Sequence, residues 1–229
     1  MAAGLSILMP VFNERKTVEA AIDDALSAEL PVERELVVVD DGSTDGTREL
    51  LRGGTWPETV QLHYHDRNRG KGVAVRTALR HATGEFAAVL DADLEYRAAD
   101  LRPVIDPLLR GESNVVFGTR AWQAHSSYGF WYVMGNKLVT FATNALYDCW
   151  ISDVMTCHKA MRTELFRSLS LRERGFAIEP EIAARVLRAG ERIYEVPITY
   201  RARTREEGKK LTAVDGLRVL RTLVRCRIS

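Results

Sequence analysis

Hydrophobic positions along this chain follow two rhythms that take turns. Leu5-Ser-Ile-Leu-Met-Pro10 is a short apolar run closed by proline and Asn13, and it reads as a strand. The next stretch, Lys16 to Ala28, sets Val18, Ile22, Ala25 and Leu26 at helical spacing. Glu35 to Asp40 is again nearly continuous and β-branched, the pattern of a strand buried on both faces of a parallel sheet. Turn chemistry follows in Asp41-Gly-Ser-Thr-Asp-Gly46, where Thr44 or Asp45 is placed to cap a helix starting near Thr47. The alternation then repeats. Val60 to His65 reads as a strand, Gly72 to His81 as a helix, Phe86 to Leu90 as a strand, Ala98 to Arg110 as a helix and Asn114 to Gly118 as a strand. This order predicts an α/β fold of right-handed βαβ units, with an open, mostly parallel central sheet flanked by helices.

Beyond residue 120 the rhythm changes. Residues 121–150 carry three of the four tryptophans and no clear strand. Gly135 to Leu146 has helical character, and Glu181 to Ala189 is a better helix, ended by Gly190. Arg192 to Tyr200 is a strand interrupted by Pro197, which places it at a sheet edge. Thr212 to Cys226 closes the sequence as an amphipathic helix. No Gly/Ser/Pro-rich linker divides the two halves and no repeat is visible. The expectation is a single domain over residues 1–229, with halves 1–120 and 121–229.

Composition narrows the class. A chain of 229 residues with 46% hydrophobic and 28% charged side chains reads as an ordinary globular domain. No apolar run approaches the ~20 residues of a membrane span. Met1 to Pro10 lacks a basic n-region and a cleavage site, so it reads as a strand and not a signal peptide. Three widely spaced cysteines, Cys149, Cys157 and Cys226, imply reduced thiols and a cytoplasmic protein. The formal charge of +1 is unevenly spread: residues 201–229 hold nine Lys/Arg against three Asp/Glu. Such a basic end is either the solvated face of a last helix or a surface for an anionic partner.

The candidate chemistry sits at strand ends, where sheets of this kind bind ligands. Asn13 and Glu14 follow the first strand, Asp40 and Asp41 the second, and Asp91-Ala92-Asp93 the fourth. Two carboxylates one residue apart can address a divalent cation, and Mg²⁺ or Mn²⁺ prefers such oxygen donors. An isolated Asp-x-Asp is more often a turn, so its place after an apolar strand carries the weight. Asp40-Asp41 can be a tight turn with a helix cap, or acceptors for a base or ribose hydroxyl. Arg69-Gly-Lys-Gly72 lacks the full phosphate-loop pattern, which speaks against a nucleoside triphosphatase, though Lys71 remains a candidate near a nucleotide. His63 and His65 share a strand face but lack a third ligand, and read as structural. Trp122, Tyr128, Phe130, Trp131 and Tyr132 form an aromatic cluster, read as core before lipid-facing or sugar-stacking.

Taken together, the segments Pro10-Val-Phe-Asn-Glu14, Val38-Val-Asp-Asp-Gly-Ser-Thr-Asp-Gly46, Asn68-Arg-Gly-Lys-Gly72, Asp91-Ala-Asp-Leu-Glu95, Gly118-Thr-Arg120, Ser152-Asp153 and Val196-Pro-Ile198 resemble the family-2 glycosyltransferases of the GT-A fold. Within that family the chain is similar to polyprenyl- or dolichyl-phosphate mannose and glucose synthases. The resemblance implies a single Rossmann-like GT-A domain, with residues 1–120 binding a nucleotide sugar and 121–229 an acceptor. It implies that Pro10, Phe12 and Glu14 line the nucleoside pocket and that Asp41 contacts base or ribose. Asp91 and Asp93 would organise Mg²⁺ or Mn²⁺ and the diphosphate of a GDP- or UDP-hexose. Glu95 stands where mannose synthases usually carry glutamine. Arg120 would lie near donor and acceptor phosphates, and Asp153 in the acceptor region. Lys159 falls at the position of a family arginine, and Arg203 and Lys210 match late phosphate-binding basic residues.

The implied reaction is inverting transfer of mannose or glucose to a polyprenyl phosphate, at the inner face of a membrane, by the protein alone or beside a membrane partner. Nucleic acid is not an expected partner. Asp93, Asp153 and Arg120 are then the candidate catalytic residues, with charge neutralisation from Arg120, Lys159, Arg203 and Lys210. A soluble glycan or natural-product hydroxyl as acceptor would instead need a carboxylate base, for which Asp153 and Glu181 are candidates. Glu179 and Glu181 also fit a helix N-terminus on electrostatic grounds alone. A non-catalytic nucleotide-binding partner is the third reading, and the intact Asp91/Asp93 pair speaks against it.

Overall fold

A computed structural model describes residues 4–121, 130–202 and 213–228. The first half alternates as its pattern predicts: β1 (Leu5–Val11), α1 (Val18–Ser27), β2 (Arg34–Asp40), α2 (Thr47–Gly53), β3 (Val60–Tyr64), α3 (Lys71–His81), β4 (Phe86–Val89), a 3-10 turn (Ala98–Asp100), α4 (Leu101–Leu109) and β5 (Val115–Thr119). The second half adds α5 (Phe130–Tyr147), β6 (Lys159–Arg162), α6 (Thr163–Ser168), α7 (Ile178–Arg188), β7 (Ile193–Pro197) and α8 (Ala213–Ile228). Among the described residues the strands form one sheet in the order β3-β2-β1-β4-β6-β5-β7.

The continuous apolar strands make sense once both faces of the sheet are covered. In β2, Leu36 and Val38 join one core while Val37 and Val39 join the other. In β4, Phe86 and Ala88 face one side and Ala87 and Val89 the opposite side. Period-two geometry thus splits each run between two cores. One core packs α1 and α4 against the sheet, and the other packs α3, α7 and α8. β7 lies at the edge, as its proline requires.

β6, like α6 after it, is an element that the hydrophobic pattern does not announce. It is only four residues long and runs antiparallel to both β4 and β5. Its sequence, Lys-Ala-Met-Arg, has no β-branched residue, and its position in the sheet is dictated by neighbours on both sides. The reversal has a consequence for function. The segment before β6 arrives at the same sheet edge where the parallel strands end.

The order of strands reverses at β1, which has β2 on one side and β4 on the other, both parallel to it. The chain leaves β1 and β4 on diverging paths, and a crevice opens between them. A second contact closes it. The loop before α3 docks on residues 172–175, where Gly72 N donates to Arg174 O at 2.7 Å. Gly70 sits there at φ +97, and a Cβ on it would stand 2.3 Å from the Arg174 carbonyl oxygen. Gly70→Ala therefore has both strain and a backbone clash to relieve. It is expected to cost about 1–3 kcal/mol in urea unfolding, whereas Gly53→Ala, where a Cβ meets nothing within 4 Å, should leave the midpoint near wild type.

Candidate active site

A cleft of about 420 Å³ occupies the crevice beyond the carboxyl ends of β1 and β4. Pro10, Phe12 and Glu14 come from the end of β1, Asp41 from the end of β2, and Asp91, Ala92, Asp93, Glu95 and Tyr96 from the end of β4. Arg120 follows β5, Tyr200 follows β7, and Lys71 opens α3. Cys157 precedes the antiparallel β6, and Glu179 lies in the first turn of α7. The sequence-derived residues of the nucleotide half therefore converge on one space. Arg203 and Lys210 lie outside the described residues, as do Trp122 and Tyr128.

The Asp91-Ala92-Asp93 turn is tightly organised. Ala92 is buried, Asp93 Oδ1 accepts the Glu95 backbone N–H at 3.0 Å, and Leu94 between them is left-handed at φ +59. A branched apolar residue in that region costs on the order of 1–3 kcal/mol, and such strain concentrates at functional turns. Asp91 faces Lys71, whose Nζ donates to its Oδ2 at 2.7 Å. The same ammonium lies 2.9 Å from Glu179 Oε1 and 3.1 Å from Cys157 Sγ. Burial opposes ionisation of Asp91, but Lys71 and the hydrogen bonds from Cys157 and Lys71 outweigh it, and the carboxyl is held below its ordinary range. Burial likewise opposes the Lys71 charge, yet Asp91 and Glu179 hold its pKa well above the lysine value. Burial and then Asp91 push the Cys157 thiol up, so it stays protonated.

Lys159 does not reach the cleft. It is fully buried, donates to Glu179 Oε2 at 2.6 Å and bonds the Thr156 carbonyl. The expectation that it neutralises phosphate is thus corrected: its charge is spent inside, on the carboxylate that also holds Lys71. Glu181 is corrected in the same way. It is fully buried and accepts the backbone N–H groups of Arg172 and Glu173 and the Arg185 side chain. That is the work of a loop anchor, and it leaves no oxygen for an acceptor hydroxyl.

Asp41 calls for a narrower reading. It lines the cleft, but its oxygens already accept from His65 Nδ1 at 2.6 Å and from the backbone N–H of Arg69 and Gly70. A carboxylate offers about four acceptor directions, and these three donors take most of them, with the Arg69 N–H shared between both oxygens. Asp41 therefore shapes the Asn68–Lys71 loop first, and any nucleoside contact shares those oxygens. His65 is structural as expected, with its Nε2 2.9 Å from Thr77 Oγ1. Its strand neighbour His63 stacks on His81 at 3.7 Å between ring centroids.

Arg120 and Asp153 form a bidentate pair. Nε and one NH2 group reach the two carboxylate oxygens at 2.6 and 2.8 Å, and the guanidinium also stacks over the Tyr200 ring at 4.8 Å. Asp153 is buried, and burial works against its ionisation, but Arg120 and then Lys159 overcome this and lower its pKa. Asp153 is thus arranged to aim Arg120, with both oxygens committed. Tyr200 in turn donates to Glu95 Oε2 at 3.0 Å, which ties the end of β7 to the acidic turn. Cys157, Tyr200 and Tyr96 went unsignalled in the sequence because they depend on where β6 and the edge strand land. Phe130 is 66% exposed, which corrects the placing of that aromatic in the core.

An open α/β sheet, acidic strand ends around one crevice and a basic residue opposite define a nucleotide-sugar-binding fold of the GT-A class. The chain belongs to Glycosyl transferase family 2, whose model matches residues 6–170. It is 31% identical over 195 residues to glycosyltransferase AglJ of Haloferax volcanii, covering 85% of this chain and 62% of that protein. It is 28% identical to a dolichol-phosphate mannosyltransferase of Pyrococcus furiosus, covering 90% and 58% of the two chains. A dolichyl-phosphate beta-glucosyltransferase of Saccharomyces cerevisiae is 25% identical, with 98% and 74% covered. The chain thus spans less than two thirds of the first two relatives. Among solved structures, glucosyl-3-phosphoglycerate synthase from Mycobacterium tuberculosis, in complex with Mn²⁺, UDP and phosphoglyceric acid, superposes with a TM-score of 0.75 at 21% identity, covering 99% and 79%. That likeness establishes the fold.

The Arg120–Asp153 pair carries a pH signature. A carboxyl whose native pKa lies below its unfolded value, about 3.9, contributes stability above that value and loses it as pH falls through the native one. Asp153→Asn should therefore lower stability by about 2 kcal/mol at pH 7. The gap to wild type should shrink as unfolding is repeated toward pH 3; a gap constant with pH would contradict the ionised pair.

Proposed function

We propose that this chain transfers a hexose from a GDP- or UDP-sugar to a polyprenyl phosphate, with inversion at the anomeric carbon. One observation carries the choice of acceptor. The two carboxylates proposed as bases for a hydroxyl acceptor are both engaged, Asp153 by Arg120 and Glu181 by Arg185 and two backbone amides. A phosphate monoester needs no base, since it is ionised near neutral pH; it needs positioning and charge neutralisation. The dolichyl-phosphate transferases among the relatives support the same reading.

In this reading Pro10, Phe12 and Glu14 hold the nucleoside, and Asp41 keeps the Asn68–Lys71 loop against it. The oxygen donors at the acidic turn fit a hard divalent cation. No group of three or more His, Cys, Asp or Glu is arranged for metal among the described residues, so diphosphate and water oxygens would complete the shell. Asp91 and Asp93 would hold Mg²⁺ or Mn²⁺, which supplies charge neutralisation at the leaving diphosphate. Mn²⁺ and Mg²⁺ in complexes of the mycobacterial synthase support this choice. Lys71 fixes the direction of Asp91 and offsets its charge. Arg120, aimed by Asp153 and Tyr200, faces the phosphates, with Arg203 and Lys210 assigned to the same task by resemblance. An acceptor anchored in lipid also places the protein at a membrane surface, although no described helix is long and apolar enough to cross one.

The test is transfer of label from a panel of nucleotide sugars into lipid-extractable sugar phosphate, using dolichyl and bacterial-type polyprenyl phosphates. Asp91→Ala and Asp93→Ala should each reduce transfer at least about a hundredfold while the circular-dichroism melt stays cooperative. Full activity in either variant overturns the site. Hydrolysis of one donor without label in any lipid overturns the acceptor.

A further inference from the structure

The outward side of α5 is apolar where a solvated helix would be charged. Met134, Leu138 and Phe141 are 42%, 57% and 70% exposed, and Ala145 extends the row. Spacings of four, three and four residues put them on one stripe, continuing from the exposed Phe130. The opposite side, with Val139 and Thr143, is buried. The helix contains no Asp or Glu and one basic residue, Lys137. A helix apolar on both sides, one of them facing outward, is incomplete in water. Trp150, just beyond its end, is 90% exposed.

Two further features narrow the occupant. The helix packed beside α5 is α8, joined to it by the Tyr147 hydroxyl donating to Leu223 O at 2.7 Å. On α8, Arg218, Arg221, Arg225 and Arg227 are exposed. An apolar stripe on one helix and exposed arginines on the helix packed beside it, Arg225 also paired with Glu173, match a bilayer surface, where side chains enter the acyl boundary and cations meet anionic headgroups. A second copy docked on the same face would bring the arginines of both chains together. Position supplies the second feature: Asn136, on the opposite side of α5 from the stripe, lines the catalytic cleft, and Met134, Leu138 and Phe141 do not.

We infer that the outward stripe of α5, with the exposed arginines of α8, seats this protein on an anionic lipid surface, the kind of surface that holds a polyprenyl phosphate. The inference rests on the lipid-phosphate reading above and adds to it the surface that meets the bilayer. Leu138 and Phe141 insert, and the α8 arginines attract.

The purified full chain is sedimented with vesicles of phosphatidylcholine alone or with 30% phosphatidylglycerol. Binding should be at least about tenfold stronger to the anionic vesicles and weaken in high salt. Leu138→Glu and Phe141→Glu should each reduce it at least about tenfold, while their melting curves and their binding of GDP or UDP stay as in wild type. Leu138→Gln gives a milder change at the same position should the glutamate variant fail to fold. Equal binding by the variants, no binding by wild type, or a dimer in solution that Leu138→Glu dissociates would each overturn the inference. A water-soluble short-chain prenyl phosphate separates the two claims. Its use as acceptor by a protein that ignores vesicles would sink the membrane surface and leave the proposed function standing.

Discussion

The site depends on one ammonium group held between two carboxylates. Lys71 opens α3, Asp91 ends β4, and Glu179 lies in the first turn of α7. These elements come from three separate parts of the chain. A charge this enclosed is costly unless matched, and the match extends one step further, since Lys159 takes the other oxygen of Glu179. The result is an alternating row, Asp91–Lys71–Glu179–Lys159, in which each inner group has a partner on both sides. Removing any member leaves an uncompensated charge in a poorly solvated place. The row therefore fixes the direction of Asp91 and ties the acidic turn to the second half of the fold.

The same logic organises the rest of the cleft. Asp41 gathers the loop before α3, Asp153 aims Arg120, and Tyr200 braces Glu95. In each case a group near the ligand space is held by one behind it. Pre-arranged polar groups of this kind need little reorganisation when charge moves, which is where an enzyme handling a diphosphate gains most. Burial then adds selectivity. Lys159 and Glu181 carry the same charges as groups in the cleft but are turned inward, so the number of ionisable residues overstates the number available for chemistry.

α5 carries sides of different character. Its inner side is part of the core, Asn136 borders the cleft, and its outer side is apolar. The proposed seating on lipid uses the outer side, while the inner side serves the core and, at Asn136, the cleft.

The alternation of strands and helices was legible in the sequence because each element repeats a period, two or 3.6 residues, and continuous apolar strands announce a sheet covered on both faces. The acidic strand ends were legible too, since the carboxyl edge of a parallel sheet is where its ligands bind. β6 was hidden: four residues with no β-branched member have no period, and only the neighbours β4 and β5 make them a strand. With β6 hidden, Cys157 was out of view, and the pairing of Asp153 with Arg120 could not be read. Local sequence also cannot tell an inward lysine from an outward one. Lys71 and Lys159 each follow or precede small and polar residues of similar kind, and only the position of Glu179 between them decides that one faces the cleft and the other the core. The sequence thus determined the sheet, its binding edge and the acidic turn, which are properties of local pattern. Tertiary structure decided which charges are available, because burial and pairing depend on groups far apart in the chain.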